Sequence, residues 1–369
     1  MKTVVIGMSG GVDSSVAAII LKDQGYNVVG LYMRNWDSYV NGEYVGSPVG
    51  DQGICPQEED YNDAKAVCEK LNIPLFRKDF VKEYYDYVFK YFLDELKKGR
   101  TPNPDIMCNK YIKFDMFSKE AEKLGADYIA TGHYARLKEG NLLRAADDNK
   151  DQSYFLSQVS REQFKNVLFP IGDMVKPVVR KIAEEYDLIT AKKKDSTGIC
   201  FIGERNFTTF LKNYLPNTPG DMVDIDTGKV IGKHIGLMYY TVGQRRGLAV
   251  GGSEERMFVV GKDLNKNILY ICIGADNDYL VSDSCLINEV NLISNRRPTK
   301  CTAKFRYRQK DNDVNLEYLD SGEILVRYPQ GVKSVTPGQA CVIYDGDECI
   351  GGGLIKEVRK NDEKLWYLY

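Results

Sequence analysis

The sequence predicts an α/β protein in three parts: a doubly wound parallel sheet at its amino end, a small mixed middle domain, and an antiparallel barrel or sandwich at its carboxyl end. Three observations predict this. Strand and helix signals alternate through the first third of the chain, which implies parallel pairing. Beyond Phe207 the texture changes to short strands between turn signals such as Pro219-Gly220, Asp226-Thr227-Gly228 and Gly251-Gly252. From 288 onward, strand-like runs alternate with Asp311-Asn312-Asp313, Ser321-Gly322, Gln330-Gly331 and Asp345-Gly346, the punctuation of compact antiparallel structure. A length of 369 residues agrees with two or three domains at roughly 100 to 200 residues each. The expected boundaries are 1–206, 207–287 and 288–369.

The elements follow in order. Residues 4–8 read as a buried strand, 9–15 as a glycine- and serine-rich turn, and 14–24 as a helix stopped by Gly25. A second strand spans 26–33. A Gly/Pro-rich loop, 37–56, carries no assignable role, and the acidic start of EEDYNDAKAVCEKL opens a helix that leads to a short strand at 74–76. A helix over 83–97 is expected to break at TPNPDIMC (101–108), followed by a helix over 114–124, a strand over 126–131 and helical patterns to about 188. Ligands of such sheets sit outside the carboxyl ends of the strands, so the loops at 9–15, 33–36 and 131–134 should converge on one crevice.

Composition narrows the function. Hydrophobic residues make up 43% and charged residues 28%, the balance of a globular protein. A net charge of −2 leaves no global field for nucleic acid or membrane, so an RNA partner needs a local basic surface. Two histidines are too few for a multi-histidine metal site, and nine cysteines without a CxxC pair argue against zinc ribbons, iron–sulfur sites and thioredoxin-type motifs. Free thiols without a signal segment fit a reducing cytoplasm. The absence of any apolar stretch of about 18 residues argues against a membrane span.

Gly7-Met8-Ser9-Gly10-Gly11-Val12-Asp13-Ser14-Ser15 lies at the first strand–helix junction, where backbone N–H groups and the helix dipole favour an anion. Glycines let the backbone approach phosphate oxygens, and serines add donors. The segment lacks the Gly-Lys-Ser/Thr ending of a Walker loop. It resembles the pyrophosphate loop (PP-loop) of the ATP pyrophosphatases, which implies adenylation of a substrate with release of pyrophosphate.

Two cysteines stand in unusual settings. Cys108 follows Arg100-Thr101-Pro102-Asn103-Pro104-Asp105 and precedes Asn109-Lys110; Cys200 ends Lys192-Lys193-Lys194-Asp195-Ser196-Thr197-Gly198-Ile199-Cys200. Flanking cations are expected to lower both thiol pKa values. Cys68, Cys272, Cys285, Cys341 and Cys349 read as small buried hydrophobes, and Cys55 is ambiguous.

GMSGGVDSS, GRTPNPDIMCN, ATGHYAR, KDQSYFL, KKKDSTGICFIGERNF, YYTVGQRRGL, TPGQA and IGGG occur in the order found in the bacterial tRNA-specific 2-thiouridylases, and the resemblance covers nearly the whole chain. Met257 departs from it, standing where tryptophan is common. The resemblance implies a PP-loop catalytic domain, a connector and a C-terminal β-barrel that contacts tRNA. It implies that Cys108 is the catalytic nucleophile, that Cys200 carries a persulfide, that the two form a transient disulfide, and that Asp105 is an acid/base, with Asn103, Pro104 and Asp105 touching the target base. ATP, accompanied by magnesium, would meet the segment 7–14, Met33 and Gly132. His133, Lys150, Asp151, Gln152, Tyr307, Arg308 and Gln339 would meet tRNA. The implied partners are tRNAs for Lys, Glu and Gln and a persulfide donor such as a cysteine desulfurase or relay protein.

Independently of the resemblance, Arg296, Arg297, Lys300, Lys304, Arg306, Arg308 and Lys310 form a run without an acid, whose later members alternate with Phe305, Tyr307 and Gln309. One face of a strand would then be basic and suited to phosphates. Two other readings compete: an amide-forming ligase with the same loop, which needs neither thiol, and an RNA-binding protein that retains a degenerate nucleotide domain.

Overall fold

The computed structural model describes residues 1–37, 56–195, 206–248 and 255–368. β1 (Thr3–Gly7) and β2 (Asn27–Arg34) are near-continuous apolar runs, as strands covered on both faces must be. They are joined by α1 (Val12–Asp23), and α2 (Pro56–Lys70) leads into β3 (Leu75–Asp79). A helical arm follows, α3 (Val81–Tyr84), a wide π turn over Tyr85–Phe89, and α4 (Lys90–Lys97). α5 (Pro104–Met107) runs through a second π stretch, Cys108–Met116, into α6 (Phe117–Lys123). β4 (Tyr128–Ala130), the hairpin β5 (Arg136–Lys138) and β6 (Asn141–Leu143), β7 (Val167–Leu168) and α7 (Lys176–Glu185) complete this part.

Its sheet has the order β3-β2-β1-β4-β7 with every neighbour parallel. The chain moves outward on one side of β1 through β2 and β3, then returns on the other side with β4. The order therefore reverses between β1 and β4, and a crevice opens there beyond their carboxyl ends.

The middle sheet comprises β8 (Gly220–Asp224), β9 (Val230–His234), β10 (Met257–Asp263) and β11 (Ile268–Ile273), after a short α8 (Phe207–Leu211). It is mixed: β11 and β8 are parallel, and the two outer pairings are antiparallel. α8 and the turn after it are apolar toward the first domain, where Phe210 and Tyr214 pack on Phe89. Half-buried Met257 packs into the same core.

The last part is a closed barrel of β12 (Val281–Leu292), β13 (Lys300–Lys304), β14 (Asn312–Tyr318), β15 (Ile324–Lys333), β16 (Ala340–Asp345) and β17 (Glu348–Lys360), with a short β18 (Glu363–Lys364) on its edge. Closure comes from β12, which pairs with both β15 and β17. The position 287 lies inside β12. The hairpin β5–β6 adds to the outside of the barrel through Leu142 opposite Cys349, tying it to the first domain. Cys68, Cys272, Cys285, Cys341 and Cys349 are buried free thiols. Among the described residues, no helix is long and apolar enough to cross a membrane.

Three sequence expectations are corrected. The break expected over 101–108 ends at Asn103: Pro104 occupies the first helical turn, where its missing N–H costs nothing, and the Asn103 side chain accepts from the backbone N–H of Asp105 and Ile106. The stretch expected to continue in helical patterns to about 188 contains the hairpin β5–β6, whose turn places Glu139 and Gly140 at φ 53° and 76°. The basic strand over 300–310 ends at Lys304, and Phe305 and Arg306 turn inward. The Arg306 guanidinium donates to the Val242 carbonyl (2.7 Å), the Ser334 carbonyl (2.8 Å) and Thr336 Oγ1 (2.9 Å), so it holds connector to barrel and offers no face to phosphate. Arg296 faces Asp345 and Glu348.

Candidate active site

At the carboxyl end of β1 the chain turns through Ser9, Gly10 and Gly11 into α1, and among the described residues no side chain caps that helix, which leaves its first N–H groups available to an anion. The loop is internally braced. Ser9 N–H donates to Ser14 Oγ (3.2 Å), and the Ser14 and Ser15 hydroxyls donate to the Gly11 carbonyl (3.1 and 2.8 Å). Gly10 has φ +72°, and a Cβ there would lie 2.1 Å from the Asp60 carbonyl oxygen, so no side chain is tolerated. Met8 and Val12 are buried, and Met33 leans against Gly7, its Cε 3.5 Å from where a Cβ would stand. An apolar shelf thus borders the loop.

Beside the loop lies a network of opposite charges. The Lys176 ammonium, at the start of α7, contacts both Asp13 oxygens (2.7 and 2.9 Å) and Asp195 (2.8 Å). Tyr134 donates to the same Asp13 (2.9 Å). Asp195 also takes Lys150 (2.6 Å) and Arg180 (2.8 Å). Burial pushes the Asp195 carboxyl up, but the hydrogen bonds from Lys150 and Lys176 outweigh it and hold it at about 2. Among the described residues, no group of three or more His, Cys, Asp and Glu side chains is arranged to hold a metal ion.

Gly132, after β4, closes the crevice from its other side. A Cβ there would lie 2.7 Å from Ser14 N and 2.8 Å from Asp13 C, so this loop lies backbone-to-backbone on the phosphate loop. The next residue, His133, is buried, with Nδ1 2.7 Å from Thr131 Oγ1 and Nε2 3.5 Å from Lys113 Nζ. Burial first, and Lys113 second, hold its pKa well below 6.5, so the imidazole is neutral. An ammonium can only donate, so Nε2 accepts and the proton sits on Nδ1, donating to Thr131.

His133 therefore links the phosphate loop to the helix that carries Cys108, which comprises α5, the π stretch and α6. Cys108 is 4% exposed. Its thiol is pushed up to about 11 by burial, with Lys113 opposing and Asp105 adding. The expectation that flanking cations lower it is corrected, because two of those cations face elsewhere: Arg100 binds Glu95 (3.1 Å), and Lys110 leans toward Gln158 (3.5 Å). Burial also raises the half-buried Asp105 carboxyl, with Lys113 opposing. Pro104 is buried and Asn103 caps the helix.

The other expected RNA contacts divide by exposure. Arg308 is exposed, and Tyr307 is half-buried with its ring 4.3 Å from that of Phe155. Gln339 donates from Nε2 to the Thr101 carbonyl (2.6 Å), which joins the barrel to the segment leading into α5. Lys150 faces Asp195, and Gln152 accepts from Tyr134 N–H (2.9 Å). Asp151 is buried and accepts from Ala145 N–H, Ser153 N–H and the Ser153 hydroxyl. Cys55 and Cys200 lie outside the described residues. Sequence reasoning passed over Lys113 and Lys176, although Lys113 sits in an apolar frame, Ile112 and Phe114, that marks a cation in a buried setting.

Comparison with known proteins agrees along the whole chain. Residues 2–204 match the family model described as tRNA methyl transferase HUP domain, 208–273 the tRNA methyl transferase PRC-barrel domain, and 282–355 the aminomethyltransferase beta-barrel domain. The chain is 56% identical to the tRNA-specific 2-thiouridylase MnmA of Mycoplasmopsis synoviae, an alignment covering 100% of this chain and 99% of that one. It is 53% identical to the protein of that name from Mycoplasmopsis pulmonis (100% of each) and 55% identical to that of Lysinibacillus sphaericus (99% and 97%). With a parallel-sheet domain whose first strand runs into a phosphate-type loop, a mixed connector and a closed barrel all aligned with these relatives, the chain belongs to the tRNA-specific 2-thiouridylase family.

Proposed function

We propose that this protein catalyses the ATP-dependent 2-thiolation of the wobble uridine of tRNA. The observation that carries the reading is that residues 131–133 bridge the phosphate-type loop, against which Gly132 lies, and the helix that carries Asp105 and Cys108, where His133 meets Lys113. A C2 carbonyl oxygen is a poor leaving group. In the proposed reaction it attacks the α-phosphorus of ATP, an O–P bond forms and pyrophosphate leaves. The terminal sulfur of a persulfide on Cys200 then attacks C2, and AMP departs with the former carbonyl oxygen. Cys108 thiolate attacks the inner Cys200 sulfur, so the S–S bond of the persulfide breaks, two electrons pass to the sulfur left on the base, and a disulfide joins Cys108 to Cys200. An external thiol reductant restores the pair.

The free N–H groups of α1 supply the pyrophosphate cradle, and Met33 with Gly132 borders the adenine. Magnesium entering with ATP would take its ligands mainly from phosphates and water, because Asp13 is already engaged by Lys176 and Tyr134. Asp105, whose carboxyl burial raises, is suited to exchange a proton at the base within the segment 103–105. Resting Cys108 is a neutral thiol, which keeps it from reacting before substrate arrives. The three domains, 1–206, 207–287 and 288–369, act together: tRNA would lie along Arg308, Tyr307, Gln339 and the segment 150–152. The proposed substrates are the tRNAs for Lys, Glu and Gln, with a cysteine desulfurase or relay protein loading Cys200 in the cytoplasm.

The family descriptions name methyl transfer, whereas the relatives are named for thiolation, and one assay separates the two. Unmodified tRNA is incubated with the protein, ATP, magnesium and a persulfide source, then digested to nucleosides for mass analysis. The expected product is 2-thiouridine, dependent on ATP; a methylated nucleoside, or none, would overturn the proposal.

A further inference from the structure

We propose that Lys113 is a further catalytic residue, whose ammonium faces the Cys108 sulfur and stabilises its thiolate. The inference rests on the reading of Cys108 as the reacting thiol and adds a residue to it.

The first support is helix geometry. In an α-helix a residue five places on is turned about 140° from the first. The stretch Cys108–Met116 is π-helical instead, and with bonds running from i to i+5 positions five apart stack one turn above another. Cys108 and Lys113 are five apart. Because helical Cβ atoms tilt toward the amino end, the Lys113 side chain leans back toward the thiol. A regular α-helix would point it elsewhere, which gives the wider turn a purpose at this place.

The second support is the charge environment. Arg100, Lys150, Lys176 and Lys193 each face a carboxylate. Lys113 forms no ion pair among the described residues: its charge is felt by Asp105 without a salt bridge, and its one hydrogen-bond partner there is the neutral His133 ring (3.5 Å). A half-buried ammonium held by a neutral acceptor and free of a salt bridge leaves its charge to the groups around it, the Cys108 thiol among them. Of the titratable groups around the sulfur, Asp105 on the same helix opposes thiolate formation and Lys113 favours it; His133, from the loop after β4, is neutral and serves as the anchor. His133 and Thr131 are positioning residues in this arrangement, since His133 touches Lys113 rather than the sulfur and Thr131 holds His133.

The test compares two alkylating agents. In each, the proton on Cys108 leaves to solvent, the thiolate attacks carbon, an S–C bond forms and iodide departs. Iodoacetate is anionic and iodoacetamide neutral, so the ratio of their rates at Cys108, read by peptide mass spectrometry, reports the local charge independently of how far the site opens. Lys113→Met is expected to lower that ratio severalfold and to slow iodoacetamide on the order of tenfold, the equivalent of one pH unit, while Lys113→Arg keeps both near wild type. Thermal unfolding checks that each variant folds. A wild-type ratio in Lys113→Met would overturn the proposal. No tRNA or ATP enters this experiment, so failure of the thiolation reading is visible separately, as absence of 2-thiouridine from the wild-type protein.

Discussion

Lys262 offers a perturbation whose size can be worked from the structure. It lies on β10, is 2% exposed, and its ammonium donates to the Gly99 carbonyl (2.8 Å), where the chain leaves α4 for the segment that enters α5. Among the described residues, no carboxylate faces it. Burial alone draws its pKa from 10.5 down to about 7. The folded state therefore binds the proton less well than the unfolded chain, and stability rises with pH between about 7 and 10.5. The shift corresponds to a penalty of about 5 kcal/mol below pH 7, an upper bound, which fades as pH approaches 10.5. Lys262→Met removes the penalty but forfeits a charged hydrogen bond of roughly 2 kcal/mol. The variant should be more stable than wild type at pH 6.5 by a few degrees of Tm, and the gap should shrink by about 3 kcal/mol in equivalent stability at pH 9. Thermal melts at both pH values read this. A gap that stays constant with pH would mean that the buried ammonium is not the source.

Further expectations follow from packing and charge. Gly132→Ala forces the loop after β4 away from Asp13 and Ser14 at a cost of about 1–3 kcal/mol, and pyrophosphate release should fall at least ~10-fold in kcat/KM for ATP; unchanged kinetics would contradict the close approach. Arg306→Met leaves three acceptors without their donor and should destabilise the protein by about 2–4 kcal/mol without altering the salt slope of tRNA binding. Arg308→Gln should do the reverse, weakening tRNA binding and lowering the slope by about one. Equal salt slopes for the two variants would refute this division. Asp151→Asn disturbs a buried acceptor that three donors share and should lower Tm more than it lowers tRNA affinity; an affinity loss at unchanged Tm would favour a direct contact.

The site was legible where chemistry is written in contiguous residues. SGGVDSS announced both a strand–helix junction and an anion cradle, and the parallel sheet around it followed from alternation alone. The closed barrel was legible as a series of strands and turns, though the span of β12 across 287 was not, since a strand long enough to pair with two neighbours bears no local mark. The reactivity of Cys108 was misread because neighbours in sequence are not neighbours in space: Arg100 and Lys110 turn toward Glu95 and Gln158, and burial decides the thiol. The basic run misled in the same way at Arg306. Alternation in that run proposed a strand, but Phe305 and Arg306 serve the join between barrel and connector, where three backbone and hydroxyl acceptors needed a donor. Asn103-Pro104-Asp105 carried a helix start in plain form, a cap, a proline in the first turn and an acid behind it, which the nearby prolines disguised as a break. Lys113 and Lys262 bear a weaker sign: Lys113 stands between Ile112 and Phe114, and Lys262 closes the apolar run 257–261.

The central claim is that ATP cleavage and sulfur transfer are two steps joined at Cys108. Pyrophosphate and 2-thiouridine measured together in a single turnover, for the wild-type protein and for Cys108→Ser, test it most directly. The wild type should release one pyrophosphate for each 2-thiouridine formed, and Cys108→Ser should release pyrophosphate while forming little or no 2-thiouridine. Normal 2-thiouridine from Cys108→Ser, or thiolation without pyrophosphate, would contradict the account.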